Sequence, residues 1–156
     1  MRIKGLNSSL LIIFLIILSF SSSCTLSACI GETTAFSKGG FYKNGTSTPL
    51  VADTVTIFGV GNDSTKIYSK ALKVSVIQLP LDASSGKCSF VMKINNKIDT
   101  LTFNYSSYPH MISKECGVTF FYILESCRWR GSIIDTINIR NNNISTFNEE
   151  NIRIFY

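Results

Sequence analysis

Charge is scarce in this 156-residue chain: Asp, Glu, Lys and Arg together make up 16% of it, against 45% hydrophobic residues. Disordered, heavily solvated chains need the opposite balance, so wholesale disorder is excluded. The 15 Lys and Arg outnumber the 10 Asp and Glu but are spread singly, and without a Lys/Arg run there is no nucleic-acid signature. One His and no C-x-x-C pair leave no Cys/His zinc site to expect. Asp53, Asp63, Asp82 and Asp99 lack calcium-loop spacing, and no glycine-rich phosphate loop is present. Neither a metal nor a cofactor is therefore expected. Outside one N-terminal run, no segment places apolar residues at i, i+3, i+4 and i+7, which argues against a helical domain.

That one long apolar run is Leu10 to Leu18, LLIIFLIIL, preceded by Arg2 and Lys4. It falls short of the roughly 20 residues a spanning helix needs, and a basic start, a short apolar core and a small-residue segment make an export signal. Two cysteines follow, in Ser21-Ser22-Ser23-Cys24 and Leu26-Ser27-Ala28-Cys29. Both stretches resemble the bacterial lipobox, whose cysteine is thioether-linked to diacylglycerol and becomes the new N-terminus. Leu26-Ser27-Ala28 fits the general consensus better, whereas Cys24 has the better distance from the apolar core. Parity favours Cys24: its acylation leaves Cys29, Cys88, Cys116 and Cys127, an even set for an oxidising compartment. Acylation of the alternative, Cys29, would orphan one thiol. Residues 1–23 are thus expected to be a lipoprotein signal peptide.

Residues 24–49 are rich in Ser, Thr and Gly, with Gly39-Gly40 and Asn44-Gly45 as turn signals, and read as a lipid-anchored tether and irregular lead-in. Period-2 alternation begins beyond them. Val51–Val60, Ala71–Leu79, Val118–Leu124, Ile133–Ile139 and Asn151–Tyr156 read as strands, with Pro80 closing the second. The runs CSFVMKI and IDTLTFNY flank Asn95-Asn96-Lys97 and predict a hairpin over Cys88 to Tyr105, with Leu101, Phe103 and Tyr105 on its buried face. Phe58, Leu72, Val74, Phe90, Met92, Phe121, Ile123, Ile137, Ile139 and Ile154 complete the expected core. Short strands punctuated by turns imply an all-β domain over 50–156, an antiparallel β-sandwich, with a small β-barrel as the alternative.

Chemistry-bearing candidates are few. His110 and Cys116 would supply a base and a nucleophile, with Asp99 or Glu115 to orient the imidazole, but a cysteine in an oxidising compartment is a poor nucleophile. Glu149 and Glu150 are adjacent and would point to opposite faces of a strand. An enzyme is not expected. Arg128-Trp129-Arg130 is the most suggestive ligand surface, since an indole stacks on a sugar or partner and flanking guanidinium groups hold an anion. Tyr42, Tyr108 and Phe41 would extend it. The competing role for Trp129 is to plug one end of the sandwich. Four thiols allow three pairings, and a pair left reduced would pack as small apolar groups.

A Ser-Ser-Cys signal ending, Thr48-Pro49-Leu50, Gln78-Leu79-Pro80-Leu81, Asp99-Thr100-Leu101-Thr102-Phe103-Asn104-Tyr105 and Ser113-Lys114-Glu115-Cys116-Gly117 occur in that order. Together they resemble the small Bacteroidota envelope lipoproteins grouped only as a domain of unknown function. The resemblance implies an all-β outer-membrane lipoprotein, often encoded near an outer-membrane β-barrel, with no established activity. It also implies a Cys29–Cys116 disulfide, which would leave Cys88 to pair with Cys127. Thr54, Ser64, Thr100 and Thr136, each preceded by Asp, resemble the O-glycosylation acceptors of exported Bacteroidota proteins. No acidic cluster of the kind linked to surface export follows either lipobox, so a periplasm-facing position is expected. The function expected is that of a non-catalytic binding or assembly accessory of another envelope protein, such as a barrel. A glycan-binding module using Trp129 is the alternative, and a Cys116/His110 hydrolase a third.

Overall fold

The computed structural model describes residues 28–156, so the expected export signal and the expected acyl acceptor Cys24 lie outside the described residues. Two separate sheets form. The larger has the order β3 (Asn62–Val74), β2 (Ala52–Gly59), β5 (Lys87–Ile94), β6 (Lys97–Ser113), β7 (Gly117–Arg130) and β9 (Asn143–Ile144). The smaller runs β4 (Val76–Pro80), β1 (Phe36–Tyr42), β10 (Ile152–Phe155) and β8 (Thr136–Ile139). All neighbours are antiparallel except β1 and β10, which bring the two ends of the described chain together in parallel. The architecture is a sandwich and not a closed barrel, as the sequence pattern predicts.

The core follows from alternation. Along β6, Asp99, Leu101, Phe103 and Tyr105 point inward and are buried, while Thr100, Thr102 and Asn104 point outward. Phe90 and Met92 of β5 join them, and Phe41, Ile77, Leu79, Ile152 and Ile154 of the smaller sheet complete the same apolar cluster. Each such side chain, fully buried, contributes about 1.5–3 kcal/mol. The β5–β6 turn is built on Asn95 and Asn96 at φ 45° and 71°, the left-handed pair that a two-residue hairpin requires. In β7 one extra residue, Glu125, sits between Leu124, opposite Tyr105, and Ser126, opposite Asn104. This bulge shifts the phase, so that Cys127 and Trp129 face inward beyond it while Tyr122 and Leu124 face inward before it.

Several expectations are corrected. The lead-in over 24–49 is not wholly irregular, because β1 lies inside it and is an interior strand of the smaller sheet. Gly39-Gly40 is not a turn: a Cβ on Gly39 would come within 3.1 Å of Ile152 and 3.2 Å of Ile77, so glycine permits close packing there. The strand expected over Ala71–Leu79 breaks at Ser75, where the chain passes from β3 in one sheet to β4 in the other. Leu72 consequently falls on an edge strand and is 73% exposed, whereas Ile77 and Leu79 enter the core. Ile123 and Ile139, also expected inside, are exposed as well.

Asp99 is the one buried carboxyl group among the described residues, and its use is structural. Its oxygens accept N–H bonds from Ser132 at 2.7 Å, Ile133 at 3.1 Å and Ile134 at 2.9 Å, fixing the turn between β7 and β8. Gly131, at φ 153°, has no room for a Cβ because Asp99 occupies that space. Asp99→Ala would leave three amides without an acceptor and is expected to lower the urea-unfolding free energy by about 2–4 kcal/mol. Gly131→Ala should destabilise in the same direction.

Candidate functional site

Period-2 geometry divides the Arg128-Trp129-Arg130 triplet. Trp129 registers opposite Leu101 on the inner face, packs against the core and donates its indole N–H to the Ile134 carbonyl at 2.9 Å. It sits half-buried beside the Asp99-held turn, and its exposed part lines a groove together with Arg128 and Arg130. Phe41, expected to extend that surface, is fully buried. Arg128 and Arg130 point the other way, opposite Thr102 and Thr100.

The outward face of the larger sheet collects basic residues that the chain keeps far apart in sequence. Lys87, Ser89, Val91 and Lys93 alternate outward along β5, registering against Asn104, Thr102, Thr100 and Ile98 of β6. Lys66 of β3 lies opposite Phe58, and the Lys70 amide donates to Thr56 Oγ1 at 3.1 Å, which brings both lysines to the same face. Two grooves result. One, of about 600 Å³, is lined by Thr56, Phe58, Lys66, Lys70, Lys93 and Ile98 among others. The second, of about 540 Å³, is lined by Lys87, Thr100, Thr102, Asn104, Arg128, Trp129 and Arg130. Neither lining contains an Asp or Glu. Among the described residues the one salt bridge joins Arg153 to Glu150 at 2.7 Å, so none of these six cations is paired.

Hydroxyl and amide groups fill the space between the charges: Ser89 and Thr102 hydrogen-bond at 2.9 Å, and Asn104 donates to Ser126 at 2.9 Å. Such a face is chemically able to hold carboxylate or phosphate oxygens through charge-assisted bonds, whose strength falls as salt rises. Sequence reasoning found Arg128 and Arg130 and missed the four lysines. A search for charge runs cannot detect cations two residues apart on one strand or on neighbouring strands. The available signal was the spacing Lys87-x-Ser89-x-Val91-x-Lys93 within a strand.

Other candidates fall elsewhere. Cys29 and Cys116 form a disulfide with a Cα–Cα distance of 4.9 Å, as the resemblance implies. Cys116 therefore has no free thiol, and the His110 ring stacks on Phe121 with centroids 4.2 Å apart. Asp99 lies eleven residues from His110 on the same strand, roughly 36 Å away at strand rise, and cannot orient it. Glu115 is exposed in the β6–β7 turn. Of the O-glycosylation candidates, Ser64 is exposed and bonds Asn62 at 3.2 Å. Thr54, Thr100 and Thr136 are half-buried within strands. Among the described residues no three His, Cys, Asp or Glu side chains cluster at metal-binding distance.

The expected Cys88–Cys127 bond does not form; both cysteines are free. They register on either side of Phe103, with β6 between them. Two strand spacings make about 9–10 Å, beyond the usual reach of a disulfide. Both pack as small apolar groups against the core, and burial pushes the Cys127 thiol up to about 12. At pH 8 roughly one Cys127 in ten thousand is then a thiolate. Maleimide at pH 8 should leave Cys127 unlabelled in the native protein and label it fully in urea, as peptide mass mapping will show. Cys29 and Cys116 should stay unlabelled in both until a reductant is added.

No curated protein and no solved structure matches the chain. Residues 54–156, well over half of the chain and spanning all but the first residues of β2 through to β10, match the family of unknown function DUF6452. The chain belongs to that family.

Proposed function

We propose that this chain is a lipid-anchored protein of the bacterial cell envelope, acylated at Cys24 and facing the periplasm at the outer membrane. There it serves as a non-catalytic assembly accessory, its basic sheet face holding an acidic surface of another envelope protein such as an outer-membrane β-barrel. The observation that carries this reading is the set of six unpaired cations around two carboxylate-free grooves. Isolated surface charges contribute little, but several aimed at one partner steer its approach and fix its register. The grooves are open rather than enclosed, and the first adds Phe58, Val91 and Ile98 to its lysines, which suits the mixed surface of a protein partner.

The anchoring part has its own support. A sulfur committed to the Cys29–Cys116 bond is not available for a thioether, which leaves Cys24 as the acyl acceptor of the two lipobox candidates. A disulfide also suits an oxidising compartment outside the cytosol. The glycan-binding alternative is less favoured because Trp129 packs against the core and commits its indole N–H to Ile134, leaving only part of its ring on the groove.

Crosslinking the full chain in its native envelope should recover a protein partner with an acidic contact surface. The triple variant Lys93→Glu, Arg128→Glu, Arg130→Glu should lower that recovery at least about tenfold while leaving the unfolding midpoint nearly unchanged, because all three changes are at the surface. Raising salt from about 0.1 M to 0.5 M should weaken recovery of the unaltered chain in the same direction. Undiminished recovery with the triple variant would contradict the proposal.

A further inference from the structure

The two longest strands outrun the sandwich. β6 has 17 residues and β7 has 14, and their pairing continues through Met111 and Val118 to Ser113 and Gly117. The last side-chain hydrogen bonds from this ribbon to the body run from Ser107 to the Ala83 carbonyl at 2.8 Å and from Tyr122 to the Leu81 carbonyl at 2.9 Å, level with the β9 pairing at Tyr122. Past those residues the hairpin has no other strand beside it and projects roughly 15–20 Å at ordinary strand rise. Its alternation nevertheless continues. Phe120, Val118 and Met111 occupy the face that Tyr105 and Tyr122 use inside the sandwich, and they are 43%, 60% and 65% exposed. A core-type surface is thus carried beyond the end of the core.

What covers it is indicated by the covalent chain. The turn of this hairpin holds Cys116, and Cys116 is bonded to Cys29. Cys29 is five residues after Cys24, a reach of at most about 18 Å. Ile30, next to the disulfide, is 96% exposed. We infer that the β6–β7 hairpin tip is a membrane foot: the disulfide draws it to the acylated end of the chain, and Met111, Val118 and Phe120 enter the interfacial layer of the bilayer. Apolar side chains on a polar support bury about 5–10 Å into that layer, a depth these residues can supply. Lys114 at the turn meets the lipid phosphates. The disulfide then has a use beyond stability, since it sets the height and tilt of the body and so where the basic face is presented.

This inference rests on the anchoring part of the proposed function, and the test separates the two. The full chain, matured in a lipoprotein-processing bacterium, is reconstituted into vesicles of phosphatidylethanolamine and phosphatidylglycerol carrying brominated acyl chains. Intact mass reports cleavage before Cys24 and its acylation, and flotation reports attachment. Val118→Trp should lose at least about half of its added fluorescence to the brominated lipid, and Lys66→Trp on the sheet face should lose none. Met111→Trp provides the same readout if Val118→Trp does not form its disulfide. An acylated, floating chain whose tip tryptophan is unquenched would overturn the foot and leave the anchor standing, as would tips crosslinked to one another in a second copy. An unacylated mature chain would overturn the anchoring reading and the foot with it.

Discussion

One-sided burial of β6 is the constraint on which the rest depends. Because side chains alternate along a strand, committing Leu101, Phe103 and Tyr105 to the core commits Thr100, Thr102 and Asn104 to the opposite face. Hydrogen-bond register then carries the decision sideways: Lys87 and Lys93 of β5, and Arg128 and Arg130 of β7, have no option but the outer face. The basic surface is the reverse side of the apolar one. A one-residue slip in either hairpin would bury cations and expose the core, so the same packing that stabilises the domain also keeps its charges together.

The hairpin that defines this register is also the longest element, and its two ends serve different purposes. Near Asp99 the carboxyl group organises the turn that seats Trp129. At the far end the Cys29–Cys116 bond ties the tip to the start of the described chain across a sequence separation of 87 residues. Closing so long a loop restricts the unfolded chain strongly. β1, following shortly after Cys29, then pairs with the C-terminal β10, so both ends of the described chain are fixed to the body.

Much of this was legible in the sequence. Alternation in IDTLTFNY gave the buried face of β6, and Asn95-Asn96 gave the turn, because both signals are local. The two-sheet architecture followed from many short strands and the lack of helical periodicity. What was not legible depended on contacts between distant segments. Gly39-Gly40 looked like a turn because nothing nearby says that Ile77 and Ile152 will close on it. Leu72 looked like core because its alternation is real, although it lies on an edge strand that the other sheet does not cover. Cys88 and Cys127 were matched by elimination, and only the register places a whole strand between them. The site was legible in part: Arg128 and Arg130 stood out as neighbours, while the lysines that complete the face are assembled by pairing.

Occupancy of the outward sheet face in the cell can be read by lysine footprinting. Acetylating the full chain in intact envelopes and again after purification should show Lys66, Lys70, Lys87 and Lys93 protected several-fold in the envelope, with the exposed Lys43 modified equally in both. Equal modification of all five lysines in the two states would contradict it.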